Sequence, residues 1–325
     1  MKKLLDRFNT LNVAVIGDVM LDIFTYGISE RLSPEAPVPV IRIFKKEYCP
    51  GGAGNVAENL ATLDVKCSLF GVIGTDSEGK KLASSFKNDN ISTFLFEDDS
   101  RPTTVKERFV ANQQQLLRVD AENTKTIAGN IELFFSEKIC SMMQNGQINA
   151  LIFSDYKKGV LSTALVQKLI DCANKNNVIT ALDPKPGSLD AVTNLTVLKP
   201  NRSEAFALAE MKDDLFASAE TRKALLLEAA EKIYKKYTPK YLVISLSADG
   251  LAIYENGKLN VIPTAAKEVF DVSGAGDTLM ASMTCALASG GCIMDAAKIG
   301  NIASGIAVGK RGTSCISRSE IENSI

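Results

Sequence analysis

Short apolar runs of strand length alternate with longer stretches of helical periodicity, and no other feature of this chain narrows its fold so far. The runs lie at 13–17 (VAVIG), 68–73 (SLFGVI), 150–154 (ALIFS), 178–182 (VITAL), 195–198 (LTVL) and 241–245 (YLVIS). Helical patterns fall between them near 53–63, 77–88, 162–176, 202–210 and 218–236. A nearly continuous apolar run suits a strand covered on both faces, and strand, helix, strand in series builds a parallel sheet between helical layers. The expected class is therefore α/β, with a central, mostly parallel sheet flanked by helices. In such sheets ligands bind beyond the carboxyl ends of the strands, where Gly17-Asp18, Ser154-Asp155-Tyr156 and Asp183-Pro184-Lys185 are placed.

Two segments depart from this alternation. Residues 20–44 contain "SPEAPVPVIRIF", whose prolines rule out a helix and suit edge strands. Residues 102–119 contain "TTVKERFVANQQQLLRV", which alternates as a hairpin does. Together they predict a small β-sheet attached to the main body, read plainly as an edge hairpin and more sharply as a lid over a substrate. With no internal repeat and no low-complexity linker, residues 1–325 are expected to form a single domain carrying this β-lid. From residue 276 onward two consecutive helices are predicted, and Gly290 and Gly291 can stop the first. The start, "MKKLLDRFNTLNVAVIGD", is interrupted by Asp6, Arg7 and Asn9 and reads as a lead-in to the first strand, not a signal peptide.

Composition removes several kinds of chemistry. A formal net charge of -1 argues against a nucleic-acid partner held by a basic field. No apolar run reaches membrane-span length, so no membrane partner is expected. Histidine is absent, which excludes Ser-His-Asp and Cys-His nucleophilic catalysis and most catalytic zinc sites. Acid–base work must fall to Asp, Glu, Lys, Tyr or Cys. The 7 cysteines are scattered without a Cys-x-x-Cys pair, and read as thiols of a reducing cytoplasm.

The stretch "DVSGAGDTLMASM" at 271–283 frees the backbone at Gly274 and Gly276 and then opens a helix. Its first N–H groups and the positive end of its dipole make an anion site. Asp277 either caps that helix or turns its carboxylate to an incoming hydroxyl, the base that phosphoryl transfer needs beside its anion donors. "PGGAGNVAENLATL" at 50–63 matches the dinucleotide fingerprint only formally, because it does not follow the first strand. It reads better as a close approach to a polyol, with N–H groups from Gly51 and Gly52 and an amide from Asn55, or as a plain helix cap. "GTDSEGKK" at 74–81 fails the phosphate-loop pattern at Lys81 and reads as a helix start. Asp18 and Asp22 can grip sugar hydroxyls or simply face solvent. In "KPNRSEA", Asn201 and Glu204 either form a capping box or hold water on a magnesium ion.

Taken together, "GGAGNVAENLA", "DVSGAGDTLMASM" and Asn201-x-x-Glu204 resemble the signatures of the ribokinase-like (PfkB) sugar kinases over nearly the whole chain. The resemblance implies a central mostly parallel sheet with a β-lid, and ATP and Mg2+ as cofactors. It makes Asp277 the catalytic base and the N–H groups of Ser273, Gly274, Ala275 and Gly276 the anion hole. Asp18, Asp22, Gly51, Gly52 and Asn55 would meet the sugar. Asn201, Arg202, Ser203 and Glu204 would serve the nucleotide, with Asn201 and Glu204 acting on the metal through water. "SLSADG" at 245–250 (Ser245, Ser247, Gly250) and "GNIASGIAVGKRGT" at 300–313 (Asn301, Gly305) would border the nucleotide.

Within that family "GDVMLDIFTYGISERLSPEAPVPV", "TTVKERFVANQQQLLRVD" and "SDYKKGVL" are most similar to the D-glycero-β-D-manno-heptose 7-phosphate kinases. That resemblance implies phosphorylation of the anomeric O1 to a 1,7-bisphosphate, on the route to ADP-heptose and lipopolysaccharide. Relatives often carry a fused nucleotidyltransferase with His-x-Gly-His; a chain without histidine is expected to be the stand-alone kinase. They also often have Tyr-Gly-Lys-Gly where this chain has Tyr156-Lys157-Lys158-Gly159. Arg108, Lys157 and Lys185 are candidates for the 7-phosphate, with solvated surface charge as the plainer alternative for each. The strand-forming "VPVIRIF" suggests a homodimer through the lid. A fructokinase, ribokinase or phosphofructokinase, or a sugar- or nucleotide-binding regulator without catalysis, remain as alternatives.

Overall fold

The computed structural model describes residues 1–255, 257–310, 312 and 314–325. Arg311 and Thr313, part of the segment 300–313 expected to border the nucleotide, lie outside the described residues.

The chain enters through α1 (Lys2–Leu5), whose Leu5 is buried together with the following Phe8. Then come β1 (Asn12–Gly17), β2 (Val19–Leu32), β3 (Pro39–Gly52), α2 (Ala53–Thr62), β4 (Lys66–Ile73), α3 (Ser77–Ser85) and β5 (Ile91–Glu97). A hairpin of β6 (Val105–Ala111) and β7 (Gln114–Ala121) precedes α4 (Gly129–Gln144), β8 (Ala150–Ser154), α5 (Thr163–Lys175) and β9 (Ile179–Asp183). The second half holds β10 (Val197–Leu198), α6 (Arg202–Leu208), α7 (Ala219–Tyr237), β11 (Tyr241–Ser245), β12 (Leu251–Glu255) and β13 (Lys258–Ile262). It closes with α8 (Ala275–Ala288), α9 (Ile293–Ala307) and α10 (Arg318–Glu322).

Among the described residues the main sheet has 9 strands in the order β13-β12-β11-β10-β9-β8-β1-β4-β5. Every pairing from β11 to β5 is parallel; β12 and β13 continue the sheet antiparallel. Alternate residues of the central strands bury into opposite layers. Val13, Val15 and Ile152 pack with α2, α8 and α9, whereas Ala14, Ile16, Leu151 and Phe153 pack with α4, α5 and α7. This two-sided burial explains why the strands read as continuous apolar runs. Among the described residues no helix is long and apolar enough to cross a membrane.

A second sheet of 4 strands, β3-β2-β6-β7, stands apart from the first. Its strands overlap the two segments that broke the alternation. The β6–β7 turn places Asn112 and Gln113 at φ +53° and +68°, the left-handed pair that a tight hairpin needs. Pro34 and Pro37 sit in the connection between β2 and β3, Pro39 begins β3, and Pro50 pairs with Leu21 near its end, on an edge strand where a missing N–H is tolerated.

Several boundaries differ from the sequence expectation. The helix predicted for 77–88 stops at Ser85, because Phe86 is already extended at ψ 90°. The one predicted for 202–210 stops at Leu208, and Glu210 takes φ +56°. The strand predicted for 195–198 keeps only Val197–Leu198. β5, α4, β12 and β13 were not anticipated. The residue before α4, Ala128, offers no capping side chain. β5 is a half-exposed edge strand without a clean apolar face.

Candidate active site

The carboxyl ends of β1, β8, β9 and β10 converge with the N-termini of α2 and α8. At α8 the chain turns through Gly274 at φ +78°, a conformation that a side chain disfavours, and the helix begins at Ala275. α8 is buried from Asp277 to Leu287, so its first turn is fixed by the core.

Asp277 does not cap its own helix; α8 has no side-chain cap hydrogen bond. Its carboxylate turns outward from the helix axis to two donors on other elements. Asn55 Nδ2 on α2 donates to Oδ2 at 2.7 Å. Tyr156 Oη, in the loop after β8, donates to Oδ1 at 2.9 Å. Burial, reinforced by the Asp183 charge, pushes the Asp277 carboxyl up to about 6, against the opposing pull of the Asn55 and Tyr156 hydrogen bonds and of Lys199. That value suits a group that must be ionised near neutrality yet accept a proton readily.

The turn itself remains open. Among the described residues the N–H groups of Gly274 and Gly276 have no hydrogen-bonding partner, and Gly276 is exposed. Of the four donors expected to form an anion hole, Ser273 and Ala275 are engaged within the turn. Ser273 N–H donates to Asp271 Oδ1 at 2.9 Å, and Ala275 N–H donates to the Val272 carbonyl at 3.3 Å. These bonds shape the turn and take two of the four donors from a ligand.

Beside Gly276 lies an ion pair that sequence reasoning missed. Lys199 Nζ meets Asp183 Oδ2 at 2.9 Å, and a Cβ at Gly276 would stand 3.7 Å from the lysine nitrogen and 3.8 Å from the aspartate oxygen. Lys199 is buried although charged, and its partner explains why it can be. The only sequence signal was position: Asp183 and Lys199 end neighbouring parallel strands. Tyr156 was likewise placed at the ligand edge but given no role.

Asp22 and Arg108 meet across the second sheet, Arg108 Nη1 donating to Asp22 Oδ1 at 2.6 Å. The guanidinium also lies 5.1 Å over the Phe24 ring. A Cβ on Gly51 would collide with Asp22 Oδ2. Asp18 behaves differently. Its carboxylate accepts the N–H groups of Tyr156, Lys158 and Val160, at 2.8, 3.0 and 3.1 Å. These three bonds staple the 156–160 loop to β1. Asp155 works the same way, accepting from Lys157 N–H, Ser188 Oγ and Lys185 N–H. Lys157 is exposed at φ +58°, with Nζ 3.4 Å from the Pro186 carbonyl.

Asn201 and Glu204 form the capping box of α6. Asn201 Oδ1 accepts from Glu204 N–H and from Ser203 Oγ, and Glu204 Oε2 accepts from Asn201 N–H at 2.8 Å. Glu204 Oε1 accepts from Lys185 Nζ. Burial works against the Lys185 charge, but the Glu204 bond and the Asp183 carboxylate hold it above the usual lysine range. Arg202 is paired through two nitrogens with Asp213, both at 2.7 Å, which braces the segment after α6. Ser245 bridges to Asn201 at the end of β11, and Ser247 and Gly250 turn the chain into β12 at φ +55° and +91°. Asn301 donates to the Pro263 carbonyl at 2.7 Å, and a Cβ on Gly305 would stand 2.8 Å from Ala266 N. Both support the 263–266 segment.

The sequence profile described as "pfkB family carbohydrate kinase" matches residues 10–319. Among curated proteins the chain is 39% identical over 314 residues to the bifunctional protein HldE of Helicobacter pylori strain HPAG1, covering 95% of this chain and 65% of that protein. It is 39% identical over 319 residues to HldE of Geobacter metallireducens, covering 97% and 63%. The chain thus spans just under two thirds of the length of these relatives. Among solved structures, Escherichia coli phosphofructokinase-2 in complex with potassium superposes with a TM-score of 0.74 at 19% identity, over 96% of this chain and 97% of that one. Arabidopsis thaliana ribokinase complexed with ribose and ATP gives 0.72 at 18% identity, over 97% and 98%. At such identities the likeness concerns the fold.

Proposed function

The chain belongs to the pfkB family of carbohydrate kinases, phosphotransferases with a sugar alcohol as acceptor, and from that premise we propose that it phosphorylates D-glycero-β-D-manno-heptose 7-phosphate at the anomeric O1 with ATP, giving the 1,7-bisphosphate. The observation that carries the mechanism is the Asp277 carboxylate, buried at the start of α8 yet turned away from the helix toward Asn55 and Tyr156. The heptose assignment rests on the motif resemblance and on the similarity to the HldE proteins.

In the proposed reaction Asp277 accepts the proton of the O1 hydroxyl as that oxygen attacks the γ-phosphorus in line with the departing β-phosphate oxygen. The open N–H groups of Gly274 and Gly276, at the positive end of α8, receive the charge that grows on the phosphoryl oxygens. Lys199 adds a buried positive charge beside that turn. The 4-stranded sheet serves as a lid that keeps water from competing as acceptor. Among the described residues no three His, Cys, Asp or Glu side chains surround a common point. The oxygens of Asn201 and Glu204 already accept hydrogen bonds. That donor set fits a hydrated cation held mainly by triphosphate oxygens, as magnesium is, with Asn201 and Glu204 acting through water. Bound there, the ion would neutralise phosphate charge.

The assignment is tested by a panel of acceptors with ATP: the heptose 7-phosphate, D-ribose, D-fructose and fructose 6-phosphate. Preference for the heptose 7-phosphate by kcat/KM supports it; preference for another sugar moves the chain to a different member of the family. Failure to release ADP with any of them would favour a binding regulator.

Lys185 and Arg108 are each paired with a carboxylate, Glu204 and Asp22, and Arg108, Lys157 and Lys185 all stay candidates for the 7-phosphate. Arg108→Ala is expected to raise KM for the sugar phosphate by roughly 10- to 100-fold, the worth of one charge-assisted hydrogen bond, and to leave KM for ATP within about twofold. An unchanged sugar-phosphate KM would remove Arg108 from this role. The homodimer is proposed through β3, an edge strand that exposes Ile43, Phe44 and Tyr48. Phe44→Glu is expected to convert a sedimenting dimer to monomer; a monomeric wild type would end the idea.

A further inference from the structure

Tyr156 belongs to neither glycine signature, yet among the described residues it is one of two side chains that hold the Asp277 carboxylate. Oδ2 takes one hydrogen bond from Asn55 and Oδ1 takes one from Tyr156. A carboxylate oxygen offers about two lone-pair sites, so each oxygen keeps one for an acceptor alcohol. The tyrosine is itself firmly held. Its N–H is bound to Asp18, its loop is stapled by Asp18 and Asp155, and its ring lies 5.5 Å beneath the Lys185 ammonium that pairs with Glu204. So much fixed structure behind one hydroxyl is more than ring packing requires.

Resting on the assignment of Asp277 as the base, we propose that Tyr156 is a positioning residue for phosphoryl transfer: its hydroxyl pins one oxygen of the base while Asn55 pins the other, and it favours the ionised carboxylate. Burial, with the nearby Asp277 and Asp183 charges, keeps the phenol protonated far above its ordinary range, so it acts as a donor and not as a second base. The other groups facing this pair are Asp183 at the end of β9, Lys199 after β10, Lys185 in the loop after β9 and Asp22 on β2. Asp183 opposes ionisation of Asp277, and Lys199 supports it. Neither touches the carboxylate with a hydrogen bond. Without the Tyr156 donor the penalty of burial is less opposed, and Asp277 holds its proton to higher pH.

The test is Tyr156→Phe, which keeps the ring, assayed with the best acceptor of the panel from about pH 5 to 9. The acid limb of kcat is expected to move up by about one pH unit, which means a roughly tenfold loss below the limb and recovery above it. KM for ATP should not change. A limb in its original place, or a loss equal at every pH, overturns the proposal. Should the phenylalanine protein fail to fold, 3-fluorotyrosine at position 156 decides: a more acidic phenol donates more strongly and should move the limb down, and no movement overturns the proposal. Asp277→Asn run in parallel separates the two levels. If it retains turnover, the base assignment falls; if it is inactive while Tyr156→Phe keeps the wild-type limb, only the role of Tyr156 falls.

Discussion

An Asp277→Asn protein is expected to lose about two to four powers of ten in kcat, the usual worth of a general base, and yet to melt at a higher temperature than wild type near pH 8. The two effects share one cause. Among the described residues the carboxylate is buried with two neutral donors and no direct cation, so its ionised form is costly to the fold. Its pKa rises from 3.8 to about 6 on folding. A raised carboxyl favours the native state while protonated: that contribution is full below 3.8 and is lost as pH climbs through about 6. A shift of about two units corresponds to roughly 3 kcal/mol. The amide cannot ionise, and Tyr156 Oη can rotate to accept from it. The difference in melting temperature should therefore be small near pH 4 and grow to a few degrees by about pH 8. Asp18 and Asp155 are also raised by burial, but they are common to both proteins and cancel. Turnover near the wild-type level would refute Asp277 as the base. A melting difference that shrinks with rising pH would refute the account of its burial.

Gly52→Ala is expected to destabilise the protein by about 3 kcal/mol or more, lowering the melting temperature by roughly 6 °C, and to cut activity more than tenfold. Gly52 joins the second sheet to α2 at φ +58° and ψ -130°, a region that residues with a Cβ scarcely enter. A methyl group there would also collide with the Asp18 carbonyl oxygen. That oxygen cannot simply retreat, because it accepts the Ala53 N–H at 3.0 Å at the start of α2. Moving Asp18 would loosen the amides of residues 156, 158 and 160 that its carboxylate holds, and with them Tyr156. The disturbance thus reaches Asp277 from both Asn55 on α2 and Tyr156. Thermal melts and steady-state assays check this together. A variant melting within about 2 °C of wild type would show that the junction has slack that its geometry denies.

Much of the architecture was legible because strand and helix periodicity are local. The runs at 150–154 and 241–245 coincide with β8 and β11. α4 was legible in principle, since Ile131, Phe135 and Ile139 recur at helical spacing, but no capping residue marked its start. The glycine turn before α8 and the capping box at Asn201 and Glu204 also follow from neighbours in sequence.

The site's chemistry was less legible, because its partners arrive from far along the chain. Asn55 and Asp277 are 222 positions apart, and Tyr156 and Asp277 are 121 apart. Asp18 and Asp22 look alike in sequence, yet one is spent on loop amides and the other meets Arg108. By itself the sequence determined the α/β layering, the bent glycine backbone and the acid at the helix start, since sterics and hydrophobic spacing act over a few residues. Only the tertiary structure decided which donors hold that acid and how far burial raises its pKa, since desolvation and hydrogen bonding depend on what parallel strands bring together at one edge of a sheet.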